Sequence, residues 1–402
     1  MSVLIVGASV AGIRTAQALR MRGYSDLITV IGEEIHHPYD KPPLSKDMLL
    51  PEGDGSPVQL LSAEEINALD VQLRLGVRAA KLNTSTREIS TEDGEILGFD
   101  DLVIATGVTP RTLPGATELG GIYTVRNADD ASALRERLPH ARHVVVVGSG
   151  FIGSEFASVA SGYGADVTIV EAQDVPMAHI LGSEVGALVS SLHAENGVRL
   201  LTGTSFDHFT GDGQVESVVL ADGRVLPADL VVIGIGAKPA IEWLSDSGLP
   251  LGNGIECDEQ LCVLGADRIY AAGDVAHWPH GLYGKSLRIE HWTNANEHAD
   301  IVAASIAGGP TRRPQPPYVW SDQYGHRIQI VGRPSEGRAV SVRGGSGSEP
   351  VVAIYAGTDG VVVGAVVLDN PRLLMKIRKA IANRAQAVTL DALLDPPVST
   401  RL

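Results

Sequence analysis

Cysteine is scarce: the 402 residues hold two, Cys257 and Cys262, too few for a disulfide framework. Their spacing is not C-x-x-C, so no thiol redox pair is expected, and they read as ordinary thiols in a reducing compartment. Positive charge is also in deficit. Lys and Arg number 32 against 48 Asp and Glu, a formal net charge of −16, which argues against general nucleic-acid binding and favours solubility. No apolar run reaches the roughly 18 residues that a membrane span requires. The longest apolar stretch, residues 351–368, is broken by Gly357-Thr358-Asp359-Gly360 into an expected hairpin. The first strand pattern begins almost at Met1, where no secretory leader fits, and a cytoplasmic protein that does not bind membranes is expected. The twelve histidines show no H-E-x-x-H spacing, and no metal site is assigned.

What the chain does have is two glycine-rich turns in the same local setting. Val3-Leu4-Ile5-Val6 leads into Gly7-Ala8-Ser9-Val10-Ala11-Gly12, and Val144-Val145-Val146-Val147 leads into Gly148-Ser149-Gly150-Phe151-Ile152-Gly153. In each, a β-branched run reads as a buried parallel strand, and small residues permit a tight turn into an amphipathic helix. A diphosphate fits such a helix start, where free N–H groups and the macrodipole favour an anion. The second copy of G-x-G-x-x-G is complete; in the first, Ser9 replaces the middle glycine. Each unit closes its second strand with an acid suited to ribose hydroxyls: Glu33 after Leu27-Ile28-Thr29-Val30-Ile31-Gly32, and Glu171 after Val167-Thr168-Ile169-Val170. The plain alternative is a solvated strand-end carboxylate. Two such units together point to a redox flavoenzyme. Because Glu171 would repel a 2′-phosphate and Ala172-Gln173-Asp174 supplies no cation to attract one, NADH is expected over NADPH.

The length and the 44% hydrophobic content suit two or three domains. The fold class is α/β, with two Rossmann-like dinucleotide-binding domains and a C-terminal α+β domain. A discontinuous FAD-binding domain is placed at 1–108 and 231–309, an inserted NAD-binding domain at 109–230, and the α+β domain at 310–402. The adjacent prolines in Tyr39-Asp40-Lys41-Pro42-Pro43-Leu44-Ser45-Lys46 are expected to keep the chain extended, with no helix before Ser45. Residues 77–97, with a turn at Glu92-Asp93-Gly94, read as a β-hairpin layer, and a Lys/Arg-rich helix is expected near residues 373–384.

Several longer motifs resemble the FAD-dependent, NADH-using ferredoxin reductases that serve cytochrome P450s and aromatic-ring dioxygenases. They are Pro38-Tyr39-Asp40-Lys41-Pro42-Pro43-Leu44-Ser45-Lys46, Ala105-Thr106-Gly107, Gly150-Phe151-Ile152-Gly153-Ser154-Glu155, Gly273-Asp274-Val275-Ala276, Arg288-Ile289-Glu290-His291-Trp292 and Trp320-Ser321-Asp322-Gln323-Tyr324. The resemblance covers essentially the whole chain and implies a glutathione-reductase-like architecture. It also implies Gly7, Ala11 and Gly12 at the FAD diphosphate, Glu33 on the adenosine ribose, and Ala79 and Arg126 toward the adenine and ribityl side. Thr106, Gly107, Gly273 and Asp274 would line the cofactor, with Asp274 on the ribityl chain, Lys46 against the flavin and Trp292 beside its ring. Gly148, Gly150, Gly153, Glu155, Glu171 and Gly236 would serve NAD. Ser9, Lys41, Ser149, His179 and Val319 depart from the family's usual residues.

Hydride transfer needs oriented rings and tuned charge rather than an acid, base or metal. Lys46 would stabilise the reduced flavin and Glu155 would compensate Lys46, the two acting as catalytic residues; separate solvated charges are the alternative. Trp292 and Trp320 would shield the flavin or pack in a core. Two basic groups could receive an acidic [2Fe-2S] ferredoxin by transient electrostatic docking, or form solvated faces: Arg372, Lys376, Arg378, Lys379 and Arg384, and Arg312, Arg313, Arg333, Arg338 and Arg343. The protein is expected as a monomer or weak homodimer. Rubredoxin reductase is an alternative reading, as is an apoptosis-inducing-factor-like flavoprotein that responds to NADH by regulating a partner. A disulfide or peroxide reductase is disfavoured, since the segment after the first unit carries no cysteine.

Overall fold

The structure is a computed structural model describing residues 1–311, 313–344 and 351–390. The chain divides into two units. One comprises Met1–Pro43, Ser56–Thr109 and Ala237–Gln315; the other comprises Leu44–Gly55, Pro110–Gly236 and Pro316–Leu402.

In the first unit, five parallel strands lie in the order Ile269–Ala271, Asp101–Ile104, Val3–Val6, Ile28–Gly32, Gln72–Leu75. Val3–Val6 is buried on both faces, which is why its sequence is continuously apolar rather than alternating. The chain runs outward from this central strand to Gln72–Leu75, then crosses to its other side at Asp101–Ile104. That reversal opens a crevice beyond the carboxyl ends of Val3–Val6 and Asp101–Ile104, where open α/β sheets bind ligands. Residues 79–98 form a three-stranded antiparallel sheet whose second and third strands join through Glu92-Asp93-Gly94.

The second unit repeats the plan. Its parallel order is Arg199–Leu201, Asp166–Val170, His143–Val147, Leu230–Ile233, Ile122–Tyr123, with the same reversal beside His143–Val147. Because Leu230–Ile233 pairs with His143–Val147, the segment to Gly236 packs in this unit rather than with residues 237–309. The unit also carries a five-stranded antiparallel sheet, in the order Tyr318–Gln323, His326–Gly332, Val362–Leu368, Val352–Ala356, Arg338–Arg343. The helix Pro371–Ala382 packs on it through Leu374, Ile377 and Ile381. Gly357-Thr358-Asp359-Gly360 is the hairpin turn between Val352–Ala356 and Val362–Leu368.

One local expectation fails: a 3₁₀ turn spans Pro42–Ser45, within the stretch that the adjacent prolines were expected to keep extended. Proline is tolerated in a first helical turn because its missing N–H would have no intrahelical partner there. Among the described residues, no helix is long and apolar enough to cross a membrane.

Candidate functional site

In the first unit, Gly7 ends the central strand with φ +117°, and a Cβ there would collide with the carbonyl oxygen of Ala105. Only glycine lets the turn and Ala105-Thr106-Gly107 approach so closely. Gly12 packs directly on the Gly7 carbonyl, and Gly273 has φ +76°, where a Cβ would stand 2.9 Å from Ala11 Cβ. The structure therefore brings Gly7, Ala11, Gly12, Ala105-Thr106-Gly107 and Gly273-Asp274 to one crevice. Thr106 Oγ1 donates to the Ala240 carbonyl at 2.9 Å, and Arg288 Nη1 donates to the Asp274 carbonyl at 3.1 Å, which fixes both strand ends. Gly32 packs on Ala8, so Glu33 emerges beside the turn; it is largely exposed and pairs with Arg78, the neighbour of Ala79, at 3.3 Å. Trp292 Nε1 donates to Asp40 at 2.8 Å.

The second unit is built the same way. Gly148 has φ +101°, and a Cβ would stand 2.5 Å from the Gly234 carbonyl oxygen, while Gly153 packs on the Gly148 carbonyl. At Gly150 a Cβ would meet no atom closer than 3.7 Å, so the middle of the turn is open to a ligand. Glu171 accepts from the backbone N–H groups of Ser149 and Gln173, both at 2.8 Å. These bonds hold the carboxylate against the turn, the position a ribose-binding acid requires. Neither Ser9, before the helix Val10–Met21, nor Gly150, before Phe151–Gly162, caps its helix by a side chain. Both crevices thus fit a dinucleotide diphosphate at a helix start. Gly236 closes the next loop, its carbonyl accepting from Arg111 N–H at 2.9 Å. Arg126 precedes the helix Ala128–Arg137, its backbone N–H donating to Asp130 at 2.8 Å.

Lys46 and Glu155 also lie in this unit. Their side chains are only 12% and 2% exposed and form an ion pair at 3.0 Å, so separate solvated charges are excluded. Ser45 and Ser321 both donate hydroxyls to Glu155, Ser321 at 2.7 Å. Burial pushes the Glu155 carboxyl above its ordinary range, while Lys46 and the two hydroxyls oppose that rise. Lys46 Nζ also lies 5.9 Å from the centre of the Trp320 ring, which stacks on Tyr318. No pattern in the sequence marked either serine as a partner of Glu155, because Ser45 and Ser321 approach it from distant parts of the chain.

On the helix Pro371–Ala382, Arg372, Lys376 and Lys379 form an exposed face opposite the buried Leu374, Ile377 and Ile381. Arg378 instead lies over Tyr318, at 6.0 Å, and Arg333 pairs with Glu336 at 3.1 Å. Arg312 lies outside the described residues. Among the described residues, no group of three or more His, Cys, Asp or Glu could hold a metal ion.

Two parallel sheets, each with a glycine turn at its reversal point and an acid at the next strand end, define an oxidoreductase that binds two dinucleotides. The pyridine nucleotide-disulphide oxidoreductase family matches residues 1–299, and a reductase C-terminal domain matches 318–402. The chain is similar to the benzene 1,2-dioxygenase system ferredoxin–NAD(+) reductase subunit of Pseudomonas putida, at 37% identity over 98% of this chain and 94% of that one. It is similar also to the biphenyl dioxygenase system ferredoxin–NAD(+) reductase component of Paraburkholderia xenovorans (strain LB400), at 34% identity over 98% and 96%. The crystal structure of the covalent putidaredoxin reductase–putidaredoxin complex superposes with a TM-score of 0.91, at 31% identity over 95% of this chain and 93% of that one. The chain belongs to the FAD-dependent NADH:ferredoxin reductase family, within the pyridine nucleotide-disulphide oxidoreductases. It is an oxidoreductase, and its cofactors are FAD and NADH.

Proposed function

We propose that the protein passes electrons from NADH through FAD to a [2Fe-2S] ferredoxin that feeds a cytochrome P450 or a ring-hydroxylating oxygenase. The names of the two dioxygenase-system relatives support a ferredoxin as the acceptor. The observation that carries the two-cofactor reading is the repeated turn, Gly7 against Ala105 and Gly148 against Gly234, at the reversal point of each sheet.

In this reading FAD takes the first crevice, with Gly7, Ala11 and Gly12 at its diphosphate, Glu33 on the adenosine ribose, Ala79 and Arg126 toward the adenine and ribityl side, and Thr106, Gly107, Gly273 and Asp274 along the chain to the flavin. Trp292 lies beside the ring. NADH takes the second, at Gly148, Gly150, Gly153 and Gly236, with Glu171 on its ribose. Bound there, the two cofactors would supply hydride-transfer and single-electron chemistry. Lys46 would offer its positive charge to the flavin, and Glu155, paired with it at 3.0 Å, would balance that charge in the oxidised protein. The face of Arg372, Lys376 and Lys379 receives the acidic ferredoxin transiently. The segment 310–402 acts as a module distinct from two dinucleotide domains, one of residues 1–108 with 237–309 and one of residues 109–236. A cytoplasmic setting, with the protein a monomer or weak homodimer, completes the proposal.

Thiol chemistry fits poorly. Burial pushes the thiols of Cys257 and Cys262 upward, away from the reactive thiolate. Anaerobic mixing with NADH is expected to bleach the flavin within a turnover time, and a [2Fe-2S] ferredoxin is expected to restore its colour. A long-lived charge-transfer complex that ignores ferredoxin would instead support the NADH-responsive regulatory reading; restoration by rubredoxin alone would support the rubredoxin one.

A further inference from the structure

Behind the second glycine turn lies a buried imidazole. His193, on the helix Ala178–Glu195, is 1% exposed. Its Nε2 stands 3.4 Å from Ser149 Oγ, in the turn itself, and 3.4 Å from Ser154 Oγ, in the helix that follows. Its Nδ1 lies 2.7 Å from the hydroxyl of Tyr324, whose ring meets the imidazole edge-on at 5.5 Å. Tyr324 is itself anchored: its N–H donates to Ser158 Oγ at 2.7 Å, and with Gly325 it forms the two-residue hairpin turn between Gln323 and His326, which sets its φ at +52°.

Burial holds the imidazole neutral, with its pKa lowered to about 4. A neutral ring has one N–H and one lone pair. The Tyr324 hydroxyl can donate to Nδ1 while Nε2–H is shared by the two serine oxygens, an arrangement that uses both ring nitrogens. Ser149 is then held from two sides, its backbone N–H by Glu171 and its hydroxyl by His193.

We propose that His193, oriented by Tyr324, is a positioning residue for the coenzyme. It fixes the backbone of Gly148-Ser149-Gly150 so that the N–H groups at the start of the helix Phe151–Gly162 face the NADH diphosphate. The inference rests on the reading that this turn holds that diphosphate.

The test titrates the FAD-loaded protein with ADP-ribose, which carries the full diphosphate, and with AMP, which carries one phosphate. Tyr324→Phe, which keeps the ring, and Ser149→Ala are compared singly and together. Each is expected to raise the ADP-ribose Kd about fivefold and the AMP Kd less than about twofold, the diphosphate being the group the turn contacts. The double variant is expected to be no weaker than the weaker single one, because both substitutions act through one imidazole. An unchanged ADP-ribose Kd in Tyr324→Phe, equal losses for ADP-ribose and AMP, or effects that multiply in the double variant would overturn the inference. A wild-type protein whose ADP-ribose binding is absent, or is not displaced by NAD⁺, would instead overturn the assignment of the turn, and the inference with it.

Discussion

Lys46 and Glu155 show how two roles of one pair can be separated. Removing one partner of a buried ion pair leaves an uncompensated charge, at a cost of about 3–5 kcal/mol, whereas replacing both by uncharged groups of similar size costs much less. Lys46→Met is therefore expected to lower stability by that amount, and Lys46→Met with Glu155→Gln to recover most of it, as urea unfolding would record. Flavin reduction by NADH should stay slow in both variants if Lys46 stabilises charge on the ring, and stopped-flow absorbance measures it. Recovery of the rate together with the stability would leave the pair only a structural role. At the other crevice, Glu171→Ala is expected to reduce the preference for NADH over NADPH about tenfold, since the repulsion of a 2′-phosphate is gone. Steady-state kcat/KM for the two coenzymes measures this, and an unchanged ratio would remove Glu171 from the ribose. The place of Glu171 against the turn was legible in the sequence, because a strand-end acid follows a glycine turn at a set distance along the chain. His193 was not: a lone histidine on an amphipathic helix carries no local signal, and its meaning comes from Ser149, Ser154 and Tyr324, which only folding assembles.

Elements add effects that no single residue carries. His298, on the helix Trp292–Ala307, is fully buried; its Nδ1 accepts from the Gly273 N–H at 3.2 Å, and burial together with the charge of His280 lowers its pKa to about 3. A histidine depressed in the folded state and near 6.5 when unfolded gives the unfolded chain the extra proton between those values, so stability falls as pH drops through that window. The slope is at most about 1.4 kcal/mol per pH unit per group. In His298→Asn, whose side chain can still accept from Gly273, urea unfolding between pH 6.5 and 4 is expected to show a shallower slope than in wild type. The two central strands were readable as continuous buried runs, and the hairpin at Gly357-Thr358-Asp359-Gly360 as a turn between apolar segments. The pairing of Leu230–Ile233 with His143–Val147 was harder to read, since a short parallel strand looks the same whichever sheet receives it.

At the scale of the molecule, the proposed docking of an acidic ferredoxin on the helix Pro371–Ala382 sets a net charge of −16 against a basic face, and the two would pull the partner in opposite directions. The whole-molecule repulsion acts over long distances, whereas attraction to Arg372, Lys376 and Lys379 acts near contact. The screening length is about 30 Å at 0.01 M ionic strength, about 10 Å at 0.1 M and about 3 Å at 1 M. Moderate salt therefore removes the repulsion before it weakens the close pairs, and high salt removes both. The kcat/KM for ferredoxin is expected to pass through a maximum near 0.1 M ionic strength, while NADH-dependent reduction of a small neutral dye shows no such maximum. In Lys376→Glu with Lys379→Glu the attraction is gone, so the ferredoxin rate should be at least about tenfold lower at the wild-type optimum and should rise steadily with salt. A ferredoxin rate that falls monotonically in the wild type would mean that local attraction dominates at every distance. An unaltered profile in the charge-reversed variant would move the docking face away from this helix.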